Sequence, residues 1–102
     1  MMRILVVEDE KKLAMLIRKA LREAGFAVDV LHNGDEALEL ASNTPFDAIV
    51  LDVMLPGRDG LSILRILREK RNAVPVLMAR AIGLKMRAHL SEFAVERQAA
   101  HG

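Results

Sequence analysis

Two short apolar runs, each stopping abruptly at an acid, limit what this chain can fold into more than any other feature. Ile4-Leu5-Val6-Val7 runs into Glu8-Asp9-Glu10, and Ala48-Ile49-Val50-Leu51 runs into Asp52. Neither run alternates apolar with polar residues, so each reads as a strand buried on both faces. Such strands need helices above and below them. The stretches between supply these. Leu13, Ile17, Ala20, Leu21 and Ala24 recur at helical spacing and are followed by Gly25 as a C-terminal stop. Phe26 to Leu31 reads as a second strand, half polar and near an edge. Asn33 and Glu36 have capping-box spacing and open a helix through Ala37, Leu38 and Ala41, which Asn43-Thr44-Pro45 breaks. Pro56-Gly57-Arg58-Asp59-Gly60 is a loop by its turn chemistry. Leu61, Ile63, Leu64, Ile66 and Leu67 form a third helix, and Val74 to Met78 a fourth strand with Pro75 near its start.

Strand-helix alternation at this spacing predicts βαβ units with right-handed crossovers. The fold class is therefore α/β, an open parallel sheet with flanking helices. At 102 residues the chain is one domain, read as a core over 1–79 and a divergent helical tail over 80–102. In that tail Ile82, Met86, Leu90 and Phe93 predict one long helix where a fifth strand would fall. The core must be aliphatic, since three Phe are the only aromatic residues in a chain that is 52% hydrophobic. A net charge of +1 does not call for nucleic acid or an anionic membrane as partner. With no Cys, disulfides and thiolate metal sites are excluded. The N-terminal apolar run is too short for a signal or membrane segment, so a cytoplasmic location is expected.

Chemistry concentrates at the strand ends. Ligands of an open parallel sheet bind outside the carboxyl ends of its strands, where strand order reverses. If the first and third strands are neighbours, Glu8, Asp9 and Asp52 converge. Clustered like charges repel unless a cation neutralises them, and Mg²⁺ suits a few carboxylate oxygens. One of these carboxylates can act as a nucleophile and form an acyl phosphate. The blander reading of each acid alone is a helix cap, open to Asp9 or Glu10. The combination of an acid pair, a lone Asp and a following Pro-Gly loop is more specific.

The runs Ile4 to Glu10 and Asp47 to Gly60 resemble the receiver domain of bacterial two-component response regulators, the flavodoxin-like receiver. More narrowly, they resemble receivers of winged-helix transcriptional regulators. The resemblance covers Met1 to about Met78. The resemblance implies Asp52 as phosphoacceptor, and Mg²⁺ held by Asp9, Asp52 and the Met54 main-chain carbonyl, with Glu8 supporting. It also implies Pro56, Gly57 and Gly60 as shapers of the adjacent loop, and a phosphohistidine on a sensor histidine kinase as the donor.

The same resemblance exposes departures. The family carries Thr or Ser at the end of the fourth strand and Lys at the end of the fifth. Here Met78 leads into Ala79-Arg80-Ala81, and no Lys-Pro follows. A hydroxyl and an ammonium that would bond and neutralise a phosphoryl group are thus missing. Arg80 could reach the site from the strand end, although a solvated charge is the simpler reading. An uncovered sheet edge favours association, so a homodimer through the C-terminal region is expected, by docking or domain swap. The chain ends before a DNA-recognition helix would fit, so direct sequence-specific DNA binding is not expected.

Three functions compete. One is a signalling receiver phosphorylated at Asp52 with Mg²⁺. Another is a switching-defective receiver acting as a dimerisation or interaction module. The last is an Asp-nucleophile phosphohydrolase, which the sequence disfavours: haloacid dehalogenase-type enzymes carry a second Asp two residues after the nucleophile, where Met54 stands here. His32, His89 and His101 show no metal-ligand spacing and read as surface or turn residues.

Overall fold

A computed structural model of the protein describes residues 1–79. The order is β1 (Arg3–Val7), α1 (Lys11–Glu23), β2 (Ala27–Leu31), α2 (Gly34–Asn43), β3 (Ala48–Asp52), α3 (Gly60–Glu69) and β4 (Val76–Ala79). All pairings are parallel and the sheet order is β2-β1-β3-β4. The expected edge position of the half-polar second strand is what forms. The expectations placed on 80–102, a long helix in place of a fifth strand, lie outside the described residues. Among the described residues no helix is long and apolar enough to cross a membrane.

Period-two alternation divides the core. Leu5 and Val7 of β1, with Ile49 and Leu51 of β3, pack against Ala37 and Ala41 of α2 and Ile63 and Leu67 of α3. Ile4 and Val6 face the other way, onto Leu13 and Ile17 of α1. β1 is thus covered on two sides, as its lack of polar alternation predicts, whereas Ala48 and Val50 on the second face of β3 are only half-buried. In α3 the buried stripe is Gly60, Ile63 and Leu67, while Leu61 is exposed. Residues spaced by three and then four stay on one helix face, so Leu61 falls off the stripe that meets the sheet.

Boundaries follow from capping. At the end of α1, Phe26 donates its N–H to the Leu21 carbonyl (3.1 Å) and Gly25 to that of Arg22 (3.0 Å), a Schellman motif with Gly25 at φ 96°. This draws Phe26 out of the strand expected to begin there, and β2 starts at Ala27. Asn33 caps α2 as its spacing predicts, its Oδ1 accepting from the N–H of Asp35 (2.8 Å) and of Glu36 (3.3 Å).

Candidate functional site

The sheet order reverses between β1 and β3, and their carboxyl ends lie side by side. Glu8 follows directly on β1 and Asp52 is the last residue of β3. Ligand oxygens of Glu8, Asp9 and Asp52 all lie within 4.8 Å of one another. Glu8 and Asp52 are buried, each 3% exposed, whereas Asp9 faces solvent. Two buried carboxylates this close are costly if both ionise. The strain is visible at Glu8. Burial, with the neighbouring Asp9 and Asp52 carboxyls adding to it, pushes its carboxyl up to about 8. Such a donor set of hard, negative oxygens at a sheet's switch point fits a small divalent cation.

The helix-cap reading of the acids after β1 fails at Glu10. That residue occupies the N-cap position of α1, but its side chain makes no capping hydrogen bond. Asp52 is oriented locally: its Oδ1 accepts the Met54 N–H at 3.0 Å. The Met54 side chain itself is 67% exposed.

The loop after β3 is held from below. Gly60 donates its N–H to the Val53 carbonyl (3.0 Å), and a Cβ on it would collide with the main-chain carbonyl of Asp52. Gly57 has φ 82°, a conformation that disfavours other residues. The Pro56 carbonyl accepts the Gly34 N–H at 2.9 Å. Pro56, Gly57 and Gly60 all lie in this loop, beside the end of β3. Sequence reasoning missed its counterpart: a Cβ on Gly34 would collide with the Arg58 carbonyl, so the start of α2 and this loop touch backbone to backbone. An ion pair between Arg58 Nε and Asp35 Oδ1 (3.2 Å) spans the same seam. Also missed was His32, half-buried in the turn after β2, whose Nδ1 lies 2.7 Å from the Glu8 carbonyl oxygen. The turn placement was legible, but no spacing rule announces a bond to a distant main-chain carbonyl.

Ala79 pairs with Asp52 across the β3–β4 register. At that register position β4 carries a methyl side chain and no hydroxyl. Arg80, Lys85 and the other cations of the tail lie outside the described residues.

Comparison with known proteins agrees with this geometry. The response regulator receiver domain profile matches residues 4–92, beyond the expected coverage of Met1 to about Met78. The transcriptional regulatory protein CusR of Escherichia coli is 44% identical over 82 residues, 80% of this chain and 36% of that protein. The transcriptional activator protein IrlR of Burkholderia pseudomallei is 49% identical over 80 residues, 78% of this chain and 34% of that protein. The chain thus spans about a third of the length of these curated relatives. Among solved structures, the receiver domain of Francisella response regulator 1452 superposes with a TM-score of 0.77 at 33% identity, covering 92% of this chain and 78% of that one. The response regulator TrrA of Thermotoga maritima, solved in complex with Mg²⁺-BeF, superposes with a TM-score of 0.76 at 34% identity, covering 92% and 81%.

Proposed function

This chain belongs to the response regulator receiver family, and on that premise we propose that it accepts a phosphoryl group on Asp52 from a sensor histidine kinase, with Mg²⁺ as cofactor. One observation carries the reading: Asp52 is buried at the switch point with Glu8 and Asp9 oxygens within 4.8 Å. Two solved structures of one relative support it. TrrA was solved with Mg²⁺-BeF, and it was also solved in complex with the histidine kinase ThkA.

In this reading Asp9 and Asp52 hold the metal through carboxylates and Met54 through its main-chain carbonyl, with Glu8 supporting. When bound, Mg²⁺ would offset part of the negative charge of the carboxylates and of the incoming phosphoryl group. Asp52 attacks phosphorus, an O–P bond forms, and the P–N bond of the phosphohistidine breaks. The Met54 N–H holds the Asp52 carboxylate plane, so one oxygen stays aimed during transfer. The protein acts as a phosphoryl-accepting signalling module rather than as an enzyme turning over a separate substrate, and it works in the cytoplasm.

A second reading has its own observation. Ala79, the register partner of Asp52, offers no hydroxyl to a phosphoryl oxygen. That favours a receiver that is phosphorylated without the usual switch and acts as a dimerisation or interaction module. The dimer would form through residues 80–102, without direct sequence-specific DNA binding.

Incubation with Mg²⁺ and a small-molecule phosphodonor, followed by intact mass and light scattering, tests both. The expected result is one added phosphoryl group on the parent and none on Asp52→Asn. A constant dimer, modified or not, supports the interaction module. A parent that takes no phosphoryl group refutes the first reading, and a stable monomer at micromolar concentration refutes the dimer.

A further inference from the structure

Asp9 poses a problem of orientation. It belongs to the carboxylate cluster, yet it is solvent-exposed, so packing does not hold its side chain. A contact with the Glu8 carboxyl and the backbone around it set its direction. The peptide groups on either side are held. Glu8 donates its N–H to the Leu31 carbonyl at 3.0 Å, and the Glu10 N–H is bonded to Glu8 Oε2 at 2.9 Å. The Glu10 carbonyl accepts the Ala14 N–H at 2.9 Å and so continues into α1. The remaining group is the Glu8 carbonyl, which forms one edge of the peptide plane that carries Asp9. It is bonded to His32 Nδ1 at 2.7 Å. A carbonyl oxygen only accepts, so Nδ1 carries the proton. Consecutive residues at the end of β2, Leu31 and His32, thus hold both polar groups of the Glu8 main chain.

We propose that His32 is a positioning residue for the metal site, fixing the Glu8–Asp9 peptide plane and so aiming the Asp9 carboxylate at the cation. The proposal rests on the reading of Glu8, Asp9 and Asp52 as a Mg²⁺ site. Partners that orient metal ligands in this indirect way typically matter 10- to 100-fold in affinity.

Asn and Gln test the geometry. The Asn side-chain amide sits at the position of Nδ1 and can donate to the same carbonyl. The Gln amide is one bond further out and cannot. Since the chain has no Trp or Tyr, Mg²⁺ affinity of the full chain is read by calorimetry rather than by intrinsic fluorescence. His32→Ala and His32→Gln are expected to weaken Mg²⁺ binding by about tenfold, and His32→Asn to stay within about threefold of the parent. The His32→Gln and His32→Asn comparison keeps the test valid if His32→Ala does not fold. The proposal is overturned if His32→Gln binds within about twofold of the parent, or if His32→Asn falls as far as His32→Gln. A parent that binds no Mg²⁺ overturns the metal-site reading and this proposal together. A parent that binds while all variants match it overturns this proposal alone.

Discussion

Burial, with Asp9 and Asp52 alongside, moves the Glu8 carboxyl from an ordinary 4.5 up to about 8, and the sign of the consequence follows directly. Between those values the folded, metal-free protein holds a proton that the unfolded chain releases. The contribution of Glu8 to stability is therefore full below about 4.5 and is lost as pH rises through about 8. Metal binding needs the ionised form, so it expels that proton and strengthens with rising pH over the same window. Glu8→Gln should remove both slopes: metal-free thermal midpoints followed by circular dichroism should fall less than those of the parent as pH rises to about 8, and Mg²⁺ affinity should become weaker and flatter. A parent and variant with parallel pH profiles would contradict this assignment. Ala79 is the second residue with a decisive chemistry, through what it lacks. Ala79→Thr places a hydroxyl beside Asp52 in the register. A hydrogen bond to a charged group is worth about 1.5–3 kcal/mol. Beryllofluoride should accordingly bind about tenfold or more tightly to the variant, as read by fluorine NMR. Equal affinity would show that residue 79 does not face the site.

The helices owe their ends to particular caps rather than to propensity. The last turn of α3 repeats the motif that closes α1: Arg71 donates its N–H to the Arg68 carbonyl (3.0 Å) and Asn72 to that of Leu67 (2.9 Å). At α1 the left-handed position is Gly25, whereas at α3 it is Arg71 at φ 60°. A side chain there carries a steric cost that glycine avoids. Arg71→Gly should stabilise the protein by about 0.5–1 kcal/mol, seen as a raised urea midpoint without change in slope. A lowered midpoint would mean that the Arg71 side chain makes a favourable contact outweighing its backbone strain. Beyond that turn Asn72 ties α3 to α2, its Nδ2 donating to the Ala41 carbonyl at 3.2 Å and its Oδ1 accepting the Val74 N–H at 3.1 Å. This is why β4 begins at Val76 and not at Val74, where the apolar run starts.

At the level of the molecule, the order β2-β1-β3-β4 brings the ends of β1 and β3 together and makes one site of acids far apart in the chain. Much of this was legible in advance. Runs such as Ile4–Val7 and Ala48–Leu51 announce buried strands because periodicity and β-branching are local properties. Glu8, Asp9 and Asp52 were legible as strand-end acids for the same reason, and Asn33 as a cap. The identities of the strands and the acids that follow them are thus written in short stretches of residues. Adjacency is not. That Asp52 lies beside Glu8 and opposite Ala79 depends on crossovers and register, which exist only once the sheet is assembled. The bond from His32 to the Glu8 carbonyl and the approach of Gly34 to Arg58 were hidden for a further reason. Every residue carries the same main-chain carbonyl, so no side-chain pattern marks the one that will be met, and folding alone chooses it.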